Sequence, residues 1–126
     1  MRQALLTGRN HHSVGMGCIT EFATSAPRST GLCPNMKAPL PVTLKLNGYS
    51  TAQFGKCHEV PSWHASPMGP FNQWPTGGGG FEYFYGFLAG ETNQCDPAFY
   101  EGTTPLDPPD DPKLSHVIIL FESVQY

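Results

Sequence analysis

Basic residues are scarce. Seven lysines and arginines stand against ten aspartates and glutamates, for a formal net charge of −3. A protein held to nucleic acid by charge needs a basic face, so this balance argues against that class. Charged residues make up only 13% of the chain, too few for a charge-driven disordered tail. No apolar run approaches the roughly 20 residues that cross a bilayer. The longest near the end is Val117-Ile118-Ile119-Leu120-Phe121. The start, Met1-Arg2-Gln3-Ala4-Leu5-Leu6-Thr7-Gly8, lacks the apolar stretch of roughly 7–15 residues that a signal peptide needs. Any export signal is therefore expected outside these residues. No C-x-x-C pair occurs among Cys18, Cys33, Cys57 and Cys95, which argues against a zinc ribbon or a thioredoxin-type motif. Reduced, separate thiols are the expected state. Aliphatic residues are thin too, with ten leucines, five valines and three isoleucines among 126 residues.

What is abundant is punctuation. Fourteen glycines and thirteen prolines make the chain loop-heavy, and its length suits about one domain or a piece of a larger one. Arg2 to Leu6 are good helix formers and Gly8 is a natural stop. Thr24 to Pro34 reads as loop. In Ala38 to Gly48, Leu40 and Leu44 lie at helical spacing, while Val42, Leu44 and Leu46 alternate like a strand. Periodicity leaves that segment open. Tyr49 to Phe54 reads as a short strand ending at Gly55, and Pro61 to Gly80 as Pro/Gly/Trp-rich loop. Phe81 to Phe87 reads as an aromatic strand with Phe81, Tyr83 and Tyr85 on one face. Pro105 to Pro112 looks like an exposed linker, and Val117 to Tyr126 like one apolar strand.

Among residues that could carry chemistry, Lys56 and His58 are the most informative. They stand two apart just after the expected strand, so in extended backbone both point to one face. A cation and an imidazole projecting together can grip an anion and handle a proton. Cys57 between them would face the other way, as a buried structural thiol. Gly48 to Lys56 has the wrong spacing for a phosphate loop, and Gly77 to Gly80 reads as a turn rather than an anion nest. The adjacent His11 and His12 are poorly placed to share one metal ion, and His64 and His116 read as solvated or structural.

Three stretches resemble a known family. Arg2-Gln3-Ala4-Leu5-Leu6-Thr7-Gly8-Arg9 resembles the second half of the sulfatase signature, Cys/Ser-x-Pro-x-Arg followed by x-x-Leu-Leu-Thr-Gly-Arg. Gly48 to His58, ending Gly55-Lys56-Cys57-His58, resembles the second sulfatase signature. Gly80 to Phe87 with Glu91-Thr92-Asn93-Gln94 is similar to the loop that follows in bacterial arylsulfatases. The resemblance covers roughly residues 2–107. It implies a partial, alkaline-phosphatase-like, doubly wound α/β sheet, with a helix before Gly48 and a strand from Tyr49 to Phe54. Residues 1–107 would be part of an N-terminal sulfatase domain, and 108–126 a proline-rich linker with a divergent tail. The expected compartment is bacterial cytoplasm or periplasm.

The resemblance also implies a reaction: hydrolysis of a small sulfate ester such as an aryl sulfate, with no nucleic acid or membrane as partner. The family nucleophile is a formylglycine, and calcium sits beside it. Arg2 would stabilise the hydrated aldehyde, Lys56 would bind sulfate oxygens, and His58 would assist elimination of sulfate. The formylglycine position would fall four residues before Arg2, and no calcium ligand is expected within the chain; Asp110 and Asp111 read as solvated. The isolated chain is therefore expected to be inactive. Two alternatives stand beside this one. A phosphoric or phosphonic monoester hydrolase of the same superfamily could use the same Lys56 and His58. A non-catalytic module could bind through an aromatic face of Phe81, Tyr83 and Tyr85 with Trp63 and Trp74.

Overall fold

The computed structural model describes residues 2–93, 95–108 and 110. Helix α1 spans Arg2–Thr7 and stops at Gly8, whose φ of +63° is the left-handed turn expected after a helix end. Helix α2 spans Leu40–Leu46, which decides the segment that periodicity left open. Pro41 is accommodated because it stands in the first turn, where its missing N–H has no helical partner to lose. Asn47 and Gly48 close the helix: the Asn47 N–H donates to the Leu44 carbonyl, the Gly48 N–H to the Lys45 carbonyl, and the Asn47 side chain to the Thr43 carbonyl at 2.8 Å.

Strands β1 (Ala52–Cys57), β2 (Tyr83–Leu88), β3 (Phe99–Glu101) and β4 (Thr104–Leu106) form one mixed sheet in that order. β1 and β2 run parallel from Ala52↔Tyr83 to Cys57↔Leu88; the other two pairs are antiparallel. The sheet and its helices are a partial α/β fold, as expected. The first strand, however, starts three residues later than Tyr49 and does not end at Gly55. Gly55 holds φ +83° and lies opposite Gly86, where a Cβ would overlap the Gly55 carbonyl. Two facing glycines let the parallel pair continue through a point that would stop any other side chain. Thr51 is instead fastened to Glu82, whose carboxylate takes the Thr51 N–H at 3.1 Å.

Phe81 lies outside β2. The strand's buried face is Phe84, Gly86 and Leu88, and Tyr83, Tyr85 and Phe87 share the other. Tyr85 stacks on Phe99, and the Tyr83 hydroxyl donates to Glu101 at 2.9 Å. Pro105 is not in a linker. It lies in β4 opposite Tyr100, on the edge of the sheet, where a proline leaves no ladder bond unmade. Gly102 and Thr103 turn the two-residue hairpin that brings it there. The tail from Val117 to Tyr126, His116 and Asp111 lie outside the described residues. No helix among the described residues is long and apolar enough to cross a membrane.

The core gathers behind β1 and β2: Cys57, Val60, Trp74, Phe84 and Leu88, with Phe71 and Tyr100 packed against it. Trp74 is fully buried, so it cannot belong to an exposed aromatic face; Trp63 is half exposed. The Trp74 indole donates to the His64 carbonyl at 2.6 Å and meets Phe71 and Tyr100 edge-on. Gly77 and Gly78 fold over the Phe71–Gln73 turn so closely that a Cβ on either would overlap the Phe71 or Asn72 carbonyl. The glycine run serves close packing rather than looseness. Trp74→Ala should lower unfolding stability by about 3–5 kcal/mol. Trp63→Ala should change it by no more than about 0.5 kcal/mol, both read from denaturant titration.

Candidate active site

A pocket of about 340 Å³ opens beside the carboxyl end of β1. Arg2 and Gln3 of α1, Met16 to Thr20, and His58 with Glu59 line it. In open sheets with parallel strands, ligands gather at this end because the strand-to-loop junctions place side chains there without closing the space.

Arg2 joins the helix to the strand. Its Nη1 donates to the Lys56 carbonyl and pairs with Glu59 Oε2 at 3.4 Å. Glu59 is almost fully buried and also accepts from Cys57 Sγ at 3.3 Å. A carboxylate so deeply placed needs such partners, because an unpaired charge there would be strongly penalised. His58 is half-buried, and its Nε2 lies 2.8 Å from both carboxylate oxygens of Glu21, which belongs to the turn Thr20–Phe22. Gly90, just past β2, packs against the imidazole: a Cβ there would stand 3.1 Å from Cε1.

The structure therefore brings together two of the three residues singled out in the sequence. Arg2 and His58 line one pocket, and Lys56 joins them through its carbonyl. Its side chain occupies an exposed position of β1 and is not part of the pocket wall. Glu59 and Glu21 were missed. Glu59 directly follows His58 and could have been weighed with it. Glu21 lies 37 residues away from its partner, and no spacing rule connects them. Gln3 was missed as well; its Oε1 is buried with no hydrogen-bond partner among the described residues.

The two carboxylates nearest this chemistry already have partners, Glu59 in the Arg2 guanidinium and Glu21 in the His58 imidazole. Among the described residues, no three of His, Cys, Asp and Glu lie close enough to hold a metal ion. The donor set does not fit calcium, whose six to eight oxygen ligands need free carboxylates and carbonyls. Cys57 is no better suited to become a reactive group. Burial, then the neighbouring Glu59 charge, push its thiol far above the ordinary range.

The sulfatase family model matches residues 1–124. Human arylsulfatase D is 32% identical over 97 residues, which are 76% of this chain and 16% of that protein. The crystal structure of Ps i-CgsB superposes with a TM-score of 0.64 at 20% identity, covering 87% of this chain and 26% of that one. Its complex with k-i-k-neocarrahexaose gives 0.61 at 20% identity, covering 99% and 31%. The chain thus spans about a sixth of the human relative, and between a quarter and a third of the solved structures.

Two outcomes follow from the local chemistry. In native-state labelling with a maleimide read by mass spectrometry, Cys95, which is exposed, should react first, and Cys57 should react only on unfolding. Glu21 gives an acid response. Partial burial works to raise its carboxyl, but the His58 hydrogen bond, its own backbone N–H, the His58 charge and Thr20 together hold it below the ordinary 4.5. A group lowered on folding adds stability that is present above 4.5 and is lost as pH falls through its folded value. Glu21→Gln should therefore flatten that part of the acid-unfolding curve, measured by circular dichroism against pH.

Proposed function

The chain belongs to the sulfatase family, and on that footing we propose that it carries the oxyanion-binding part of a sulfuric-ester hydrolase. The observation that supports this reading is the convergence of Arg2 and His58 on one pocket beside the Lys56 backbone. On this reading the Lys56 ammonium grips ester oxygens from the exposed side of β1. His58 moves a proton as the ester bond breaks. Arg2, held by Glu59, ties α1 to the end of β1 and keeps the anion-facing segment in place.

The formylglycine nucleophile and the calcium of the family belong, on this reading, to other parts of a longer polypeptide. No residue lining this pocket fits either role. By itself the 126-residue chain is then inactive. The human relative's name favours an aryl sulfate as substrate. The neocarrahexaose complex of the structural neighbour favours a sulfated sugar as the second reading.

Three measurements test the proposal. The purified chain, given a chromogenic aryl sulfate and calcium, should show no turnover; clear turnover would overturn its assigned inactivity. Inorganic sulfate should shift the NMR signals of Lys56 and His58, and Lys56→Ala should weaken that binding about tenfold. In a longer protein containing these residues, Lys56→Ala or His58→Ala should lower kcat by about 10²–10³. That protein should prefer a sulfate ester over the matching phosphate, and aryl and sugar sulfates assayed side by side separate the two substrate readings.

A further inference from the structure

We propose that Glu21 is the positioning residue of His58, and that it selects which imidazole nitrogen is free to take a proton. The inference rests on reading His58 as the proton-handling group of the pocket. Glu21 stands on the short turn Thr20–Phe22, far from His58 in sequence, yet its two oxygens each lie 2.8 Å from Nε2. Its carboxylate is itself aimed. The Thr20 hydroxyl, on a side chain only 1% exposed, donates to Glu21 Oε2 at 3.3 Å. A second restraint comes from Gly90, against which the ring lies so closely that any side chain would have to displace it. Two separate stretches thus meet on one imidazole.

The consequence is chemical. An ionised carboxylate can only accept, so Nε2 must carry the hydrogen. In the neutral ring the lone pair then lies on Nδ1. That nitrogen has no hydrogen-bond partner among the described residues and is not among the buried polar atoms left unpaired, so solvent reaches it. The partner of one ring nitrogen decides the job of the other, the same logic by which a carboxylate orients a catalytic or metal-bound imidazole. Glu21 holds Nε2 and leaves Nδ1 as the basic nitrogen. Glu21 is not among the residues that line the pocket, so its effect on the chemistry there passes through His58.

The test reads the tautomer directly. The 126-residue chain is labelled with ¹⁵N, and long-range ¹H–¹⁵N correlations of the His58 ring are recorded at a pH where the imidazole is neutral. The wild-type ring should be protonated at Nε2. Glu21→Ala should reduce the Nε2–H to Nδ1–H ratio about fivefold, the scale of one net hydrogen bond. Glu21→Gln, whose amide oxygen still accepts, should recover most of it. A merely structural role for Glu21 would leave the ratio unmoved with the fold intact, and that result would overturn the proposal. So would a wild-type ring protonated at Nδ1, which needs no variant to observe. Added inorganic sulfate separates this proposal from the functional reading. If the tautomer is as stated but neither His58 nor Lys56 responds to sulfate, the positioning role is supported and the oxyanion pocket is not.

Discussion

The parallel pairing of β1 with β2 is the constraint on which the rest depends. Six registered positions, from Ala52↔Tyr83 to Cys57↔Leu88, carry two segments to the same end of the sheet. His58 leaves β1 there and Gly90 follows β2 there, so one face of the imidazole packs on a glycine. The pairing in turn depends on Gly55 facing Gly86. With any side chain at position 86, the Gly55 carbonyl would have to move, and the register beyond it would shift.

Around that pair the molecule is economical with apolar material. One cluster centred on Trp74 and Phe84 supports the sheet from the side opposite Phe54 and Lys56. Several large apolar side chains, including Leu5, Phe22, Leu46 and Met68, remain largely exposed. Close backbone packing substitutes for bulk. The glycine run folds onto the Phe71–Gln73 turn, and the hairpin through Gly102 brings Tyr100 against Trp74. Polar fastening does similar work at the pocket, where Arg2 and Glu59 link the first helix to the end of the first strand.

Two carboxylates near the pocket have partners of different character, a guanidinium for Glu59 and an imidazole for Glu21. The Arg2–Glu59 pair is largely buried and joins elements, so removing either partner would leave a charge stranded. The Glu21–His58 pair is more exposed and contributes less to stability, but it decides the state of a titratable ring. One pair therefore bears on architecture and the other on the state of the ring.

Local physics was legible from the residues alone. The helix formers before Gly8, the helix end at Asn47-Gly48, the aromatic alternation from Tyr83 and the Gly55-Lys56-Cys57-His58 ending all report on neighbours a few positions away, and the family is legible in the same short patterns. Tertiary structure decided the rest. It carried β1 through a glycine that looked like a stop, because the answering glycine lies 31 residues on. It placed Pro105 in an edge strand and Trp74 in the core. It also set Glu21 against His58. Each of these turns on what stands opposite a residue in space, and short-range sequence patterns carry no record of partners so far along the chain.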